Sequence, residues 1–215
     1  MNNLNFIKEV QRKDCLEYKI FDEKYKVNTA APTKIIIENE IEIVVPHYEE
    51  NSSYFEGSTH YQPTANYWID LINQYFKDKI SEYKFIDIGC GKGKPIIYNI
   101  VNSVGYKEYI GIEIDPVLSE IFKKNLISVN SSNAKSLNID AFDYDYSENK
   151  CIYFFAKPFE KPIFDKLMDK IKSDIIKRNC YFVFVFEQDL DVNSIDWLEQ
   201  VYNQVPISIY KPKGI

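Results

Sequence analysis

Three glycines within five residues, set between a strand pattern and a helix pattern, constrain this chain most. The sequence there reads FIDIGCGKGK, with Gly89, Gly91 and Gly93 at alternate positions, and only seven glycines occur in 215 residues. Glycine allows a positive φ and a close approach of ligand to backbone, and the helix that follows begins with free amide groups. The cluster predicts a nucleotide-type loop between a buried strand and a helix.

Strand and helix patterns alternate from this loop to the end of the chain. We predict strands at 84–88, 109–114, 135–139, 151–156 and 181–186, with helices near 94–104, 116–129 and 161–177. A helix over 64–80 precedes them, and a short helix over 194–200 and strands near 201–205 and 207–211 follow. Apolar strands joined by helical crossovers predict a Rossmann-like, doubly wound, mostly parallel α/β sheet with helices on both faces.

The first 50 residues follow a different pattern. We interpret them as an N-terminal extension with a helix over 3–13 and an extended stretch over 17–45, and residues 51–215 as the sheet domain. The segment KIIIENEIEIVV (34–45) alternates and is rich in β-branched residues, which predicts a β-hairpin.

Composition narrows the function classes. A net charge of −6 argues against broad nucleic-acid binding, which requires clustered Lys and Arg. No apolar run approaches the roughly 18 residues of a membrane helix, and the N-terminus lacks a signal-peptide core, so we expect no membrane association and a cytoplasmic location. The four cysteines lack zinc-finger spacing, so we expect reduced thiols and no metal.

Acidic residues stand at the ends of three successive predicted strands. Asp87 lies at the entrance of the glycine loop, Glu113 ends the second strand, and Asp140 follows the third. Ligands of such sheets bind at the carboxyl ends of the strands, where Glu113 can accept hydrogen bonds from ribose hydroxyls and Asp140 from an exocyclic amine. Asp87 would repel a pyrophosphate but suits a ligand with an ammonium group. The spacing is G-x-G-x-G, whereas dinucleotide enzymes have G-x-G-x-x-G.

This pattern, D-x-G-x-G-x-G with an acid after strand two and D-A after strand three, resembles the class I S-adenosylmethionine-dependent methyltransferases over roughly residues 61–215. The resemblance implies a seven-stranded sheet with one antiparallel strand. It also implies S-adenosylmethionine as cofactor and S-adenosylhomocysteine as product. The implied cofactor contacts are the loop residues Gly89, Cys90, Gly91 and Gly93, Asp87 at the methionine amino group, Glu113 at the ribose, and Asp140 with Ala141 near adenine.

Two further segments extend the resemblance. HYQPT (60–64) is similar to a Tyr-x-Pro-Thr element near the methionine carboxylate, which implies cofactor contacts for Tyr61 and Thr64. YFFAKPFE (153–160) follows strand four, where many relatives have F-F-N-P-F, so Ala156, Lys157, Pro158 and Phe159 are implied in the substrate pocket. Lys157 replaces the Asn of those relatives, and lysine cannot accept a hydrogen bond.

The main hypothesis is therefore methyl transfer from S-adenosylmethionine to a small molecule or a protein. A base is needed only when the nucleophile must lose a proton, and Glu187 and then His60 are the candidates. Two alternatives stay open: an NAD-dependent oxidoreductase, and an inactive cofactor-binding or protein-interaction module. The acceptor and the oligomeric state are open at this point.

Overall fold

The structure is a computed structural model that describes residues 17–31, 33–38, 41–46, 52, 55–57, 59, 61–175, 178–187 and 190–214. The predicted helix over 3–13 and the candidate base His60 lie outside these residues.

A seven-stranded sheet forms the centre of the fold. Its strands, in chain order, are β3 (Lys84–Ile88), β4 (Glu108–Ile112), β5 (Ala134–Leu137), β6 (Cys151–Phe155), β7 (Tyr181–Val185), β8 (Leu198–Gln204) and β9 (Ile207–Pro212). Their order in space is β5-β4-β3-β6-β7-β9-β8. Only β9 pairs antiparallel with its neighbours, β7 and β8, and the other pairs are parallel. The predicted fold class is confirmed.

Five α-helices surround the strands within the described residues. They are α1 (residues 17–25), α2 (Asn66–Phe76), α3 (Lys94–Val101), α4 (Pro116–Ser128) and α5 (Lys161–Ile175). Pro95 and Pro116 lie in the first turns of α3 and α4, where a missing amide hydrogen costs nothing. None of the described helices is both long and apolar enough to span a bilayer.

The core lies on both faces of the sheet because successive strand residues point to opposite sides. On one face Phe85 and Phe154 pack with side chains of α1 to α4. On the other face Ile86 and Tyr153 pack with the apolar side of α5. This two-sided burial explains the continuous apolar strands of the sequence.

The N-terminal region differs in part from the prediction. The predicted hairpin is confirmed: β1 (Thr33–Glu38) pairs antiparallel with β2 (Ile41–Pro46) in a two-stranded sheet of its own. The prediction that 17–45 is extended throughout is wrong, because residues 17–25 form α1. Tyr18 and Phe21 lie on one buried face of this helix.

The end of the chain also corrects the sequence prediction. The expected helix over 194–200 is wrong, because β8 begins at Leu198 and pairs with β9. Pairing with a neighbouring strand outweighs the weak local helix preference. The second predicted strand of this region is confirmed as β9.

Candidate ligand-binding cavity

A cavity of about 210 Å³ opens at the carboxyl ends of β3 to β6. It is lined by the loops that follow these four strands and by residues between 52 and 64. Parallel sheets place ligands at this end, beside the point where the strand order reverses. Of the residues predicted for the site, the lining includes Tyr61, Thr64, Asp87, Gly89, Cys90, Gly91, Glu113, Asp140, Ala141, Ala156, Pro158 and Phe159.

The glycine loop takes a backbone path that few other residues could follow. Gly91 has a φ of +54°, and a Cβ there would lie 2.0 Å from Cδ2 of Tyr61. A Cβ at Gly89 would lie 2.4 Å from Cβ of Pro158. The glycines therefore make room for neighbouring protein side chains. Gly93 is not among the cavity-lining residues and directly precedes α3.

The carboxyl group of Asp87 is buried in the cavity lining, with one oxygen unpaired in the part of the chain that the structure describes. Its side chain is 2% exposed, and its Oδ2 has no hydrogen-bond partner among the described residues. Burial and then the nearby charge of Glu113 raise the pKa of Asp87 well above its ordinary value. A buried carboxylate without a partner is costly, so a cationic group beside it would stabilise its charged form.

Glu113 connects the end of β4 to the glycine loop. Its Oε2 accepts the Gly91 amide at 2.7 Å and its Oε1 accepts the Asp115 amide at 2.9 Å. Burial raises the pKa of Glu113, and these two backbone donors oppose the shift. Because a carboxylate has about four lone-pair sites, it keeps capacity for further donors from a ligand.

Asp140 begins a short helical turn after β5. Its Oδ1 accepts the Phe142 amide at 2.9 Å, while Ala141 is buried in the cavity lining. The capping interaction fixes the carboxylate at the edge of the cavity, so its second oxygen can accept from a ligand amine.

Tyr61 and Thr64 line the cavity beside the glycine loop. The Tyr61 hydroxyl donates to the Thr29 carbonyl at 2.6 Å. Burial and then the charge of Asp22 raise the pKa of Tyr61 well above its ordinary value, so its hydroxyl stays protonated. Burial raises the pKa of Cys90 as well, and this thiol has the character of a packed, unreactive group.

The loop after β6 is held by Thr59. The Thr59 hydroxyl donates to the Lys157 carbonyl at 2.5 Å, and its amide donates to the Pro158 carbonyl at 3.0 Å. Lys157 has a φ of 50° and is not among the cavity-lining residues, whereas Ala156, Pro158 and Phe159 are. The structure thus separates Lys157 from the other three residues of the predicted substrate pocket.

Glu187 is not among the residues that line the cavity. Its Oε1 accepts the Tyr210 hydroxyl at 3.2 Å. Burial raises the pKa of Glu187, and the neighbouring hydroxyls of Ser208 and Tyr210 oppose that shift. The structure therefore does not bring this candidate base to the predicted cofactor residues.

Comparison by sequence gives no match to a family model or to a curated protein. Solved structures do share the architecture. One, named as the methyltransferase yhhF of Escherichia coli, is 17% identical, with a TM-score of 0.54 over 73% of this chain and 88% of its own. A second is an RNA methyltransferase from Salinibacter ruber in complex with S-adenosylhomocysteine, 20% identical, with a TM-score of 0.51 over 72% of this chain and 96% of its own.

The chain has the class I S-adenosylmethionine-dependent methyltransferase fold. A variant of MtNAS in complex with S-adenosylmethionine also shares it, at 13% identity and a TM-score of 0.53, over 68% of this chain and 62% of its own. Identities this low establish the fold and not the activity.

Within this class I methyltransferase fold, several cavity residues were not found by the sequence pattern alone. Ser52, Asp115, Phe142 and Ile163 line the cavity without having been predicted there. Asp115 could have been found, because an Asp before Pro116 is a helix-start signal at the end of a strand. Its Oδ2 accepts the Ser52 hydroxyl at 2.5 Å. That contact links residues 63 positions apart, and no local pattern predicts it.

Proposed function

We propose that this protein binds S-adenosylmethionine and transfers its methyl group to an acceptor. The observation that carries the proposal is the buried Asp87 carboxylate, whose Oδ2 has no partner in the described part of the chain. It lies beside a glycine loop in a cavity at the carboxyl end of the sheet. The ammonium group of a methionine moiety would supply the missing charge and hydrogen-bond donors.

The other predicted cofactor residues fit the same ligand. Glu113 can accept from ribose hydroxyls, since a carboxylate has about four lone-pair sites and the amides of Gly91 and Asp115 occupy only part of them. Asp140 can accept from the adenine amine with the oxygen that does not cap Phe142. Three acids around one cavity also favour a cationic ligand over a pyrophosphate, which weighs against the NAD-dependent alternative.

When bound, S-adenosylmethionine supplies a methyl group on a positively charged sulfur, which an acceptor atom can displace. The protein's main task is then alignment of the acceptor with that group. Phe55 and Phe159 line the cavity and would exclude water from the reacting groups. Asp87, Glu113 and Asp140 would fix the donor from three directions.

The loop after β6 and the position of Glu187 also support the inactive-binder alternative. Thr59 donates one hydrogen bond to each of the carbonyl groups of Lys157 and Pro158, which reduces their capacity to accept from an amine acceptor. Glu187, the first candidate base, does not line the cavity. An acceptor that needs no base, or a protein that binds the cofactor without transfer, agrees with both observations.

A transfer assay with S-adenosylmethionine labelled in its methyl group separates these functions. The protein is incubated with pools of small molecules and, separately, with protein extracts, and S-adenosylhomocysteine formation is followed together with label. Formation of S-adenosylhomocysteine that depends on an acceptor pool and is lost in Asp87→Asn supports the enzyme. Binding of S-adenosylhomocysteine without turnover in any pool supports the inactive binder. Absence of binding contradicts both.

A further inference from the structure

The carboxylate of Asp22, in α1, accepts three hydrogen bonds from the turn that follows this helix. Asp22 Oδ2 accepts the amides of Thr29 at 2.7 Å and Ala30 at 2.8 Å. Its Oδ1 accepts the Thr29 hydroxyl at 2.6 Å. Hydrogen bonds to a charged acceptor are shorter and stronger than neutral ones, so Asp22 fixes residues 28–30 firmly. We call residues 28–30 the N-terminal bracket.

The bracket holds the glycine loop through Lys92. The Lys92 ammonium donates to Asn28 Oδ1 at 2.8 Å and to the Ala30 carbonyl at 2.8 Å. Its side chain is 1% exposed and is not among the cavity-lining residues. The lysine inside the glycine motif therefore connects the loop to the bracket.

Asn125 of α4 joins the bracket and the loop a second time. Its Nδ2 donates to the carbonyls of Asn28 at 2.9 Å and Lys92 at 3.0 Å. Its Oδ1 accepts the Asn28 amide at 2.7 Å. The side chain is 2% exposed, so each of these polar atoms would be costly to leave unpaired.

The bracket also fixes one wall of the cavity. The Thr29 carbonyl accepts the Tyr61 hydroxyl at 2.6 Å. The ring of Tyr61 lies so close to the glycine loop that a Cβ at Gly91 would clash with it. The tyrosine position thus depends on a carbonyl that lies 32 residues earlier in the chain and that Asp22 holds in place.

We propose that Asp22 is a positioning residue for the ligand, acting through the bracket on Tyr61 and on the glycine loop. Residues 17–31 are then part of the binding site and not a separate appendage. The inference rests on the proposed function, since it concerns the same cavity. Coupling between two sites is reciprocal, so a ligand that orders the loop also stabilises the bracket.

A matched pair of isosteric variants tests the role of Asp22. Asp22→Asn keeps the shape of the side chain but cannot accept all three hydrogen bonds, while Glu23→Gln changes the adjacent exposed acid. The dissociation constant for S-adenosylhomocysteine is measured by titration calorimetry below the melting temperature of each protein. We expect about tenfold weaker binding for Asp22→Asn and no change for Glu23→Gln. Tyr61→Phe removes only the hydroxyl and serves as the second variant if Asp22→Asn does not fold; it too should bind about tenfold more weakly.

Limited trypsin digestion supplies a readout that a purely structural role would not change. Lys24 and Lys26 are exposed and lie just before the bracket. S-adenosylhomocysteine should slow cleavage there in the wild type and in Glu23→Gln, but much less in Asp22→Asn. A lower melting temperature with an unchanged dissociation constant for Asp22→Asn or Tyr61→Phe would overturn the inference, as would equal losses of affinity in Asp22→Asn and Glu23→Gln. Failure of the wild type to bind would instead contradict the proposed function itself.

Discussion

The carboxylate of Glu113 accepts the backbone amide of Gly91 at 2.7 Å, so the end of β4 is hydrogen-bonded to the glycine loop that follows β3. The other oxygen of Glu113 accepts the Asp115 amide at the start of α4. One acid therefore shapes the loop and the next helix start in addition to any contact with a ligand. A substitution at Glu113 should therefore alter the glycine loop, the start of α4 and the binding of a ligand.

Replacement of Glu113 should weaken ligand binding strongly. Glu113→Ala removes charged hydrogen bonds, which are worth about 1.5–3 kcal/mol each, so we expect at least about tenfold weaker binding of S-adenosylhomocysteine. Titration calorimetry measures the change. Glu120→Ala, at an exposed acid of α4, is the control and should bind as the wild type does. An unchanged dissociation constant in Glu113→Ala would leave Glu113 with a structural role only.

Addition of a methyl group at Gly91 should destabilise the protein through Tyr61. The new Cβ would lie 2.0 Å from the ring, so we expect Gly91→Ala to lower the free energy of unfolding by about 1–3 kcal/mol. Gly105→Ala is the control, because no atom lies within 4 Å of its Cβ position. Urea unfolding measures the free energy of unfolding of Gly91→Ala and of Gly105→Ala. Each variant is measured alone and combined with Tyr61→Ala, which gives a double-mutant cycle. The Gly91→Ala cost should shrink in the Tyr61→Ala background, and an equal cost in both backgrounds contradicts the account.

The stability of the ligand-free protein should depend on pH through Asp87. Its pKa in the folded state is raised above the ordinary value of 3.8, so its stabilising contribution is complete below that value and is lost as the pH rises toward the folded pKa. The Asn side chain of Asp87→Asn does not ionise, so this variant does not lose stability in that way as the pH rises. The melting temperature of the variant minus that of the wild type should therefore increase from pH 4 to pH 8, and Asp169→Asn, at an exposed acid, is the matched control for removal of one carboxylate. A difference for Asp87→Asn that falls with pH would have the wrong sign.

Substitution of Lys157 should leave ligand affinity unchanged, whereas substitution of Thr59 should lower stability. Lys157 does not line the cavity, so Lys157→Ala should leave affinity for S-adenosylhomocysteine unchanged. Thr59→Val removes the donor to the Lys157 carbonyl and should lower the free energy of unfolding by about 1 kcal/mol, measured by urea unfolding. Once an acceptor is known, a large loss of turnover in Lys157→Ala with intact cofactor binding would show that the ammonium acts in the pocket.

The central sheet could be predicted from sequence because its signals are local. The strand over 84–88 coincides with β3, since an apolar run ended by glycines has few other interpretations. Residues 17–25 could not be predicted in the same way. Tyr18 and Phe21 favour strand and helix about equally in a short window, and it is their burial against the rest of the fold that places them in α1.

The candidate site shows the same division between local and distant signals. Asp87, Glu113 and Asp140 could be grouped because parallel strands end at one edge of a sheet. The contacts of Lys92 with Asn28 and Ala30 join residues 62–64 positions apart, and only packing in three dimensions brings them together. The domain boundary after residue 50 stays a prediction, and the bracket shows that residues before it contact the cavity wall.

Titration of the wild type and of Asp87→Asn with S-adenosylhomocysteine at pH 8 tests the central claim most directly. The account predicts saturable binding with one ligand for each chain, at least about tenfold weaker binding in Asp87→Asn, and no binding of NAD by either protein. Failure of the wild type to bind S-adenosylhomocysteine, or equal affinity in the wild type and Asp87→Asn, would contradict it.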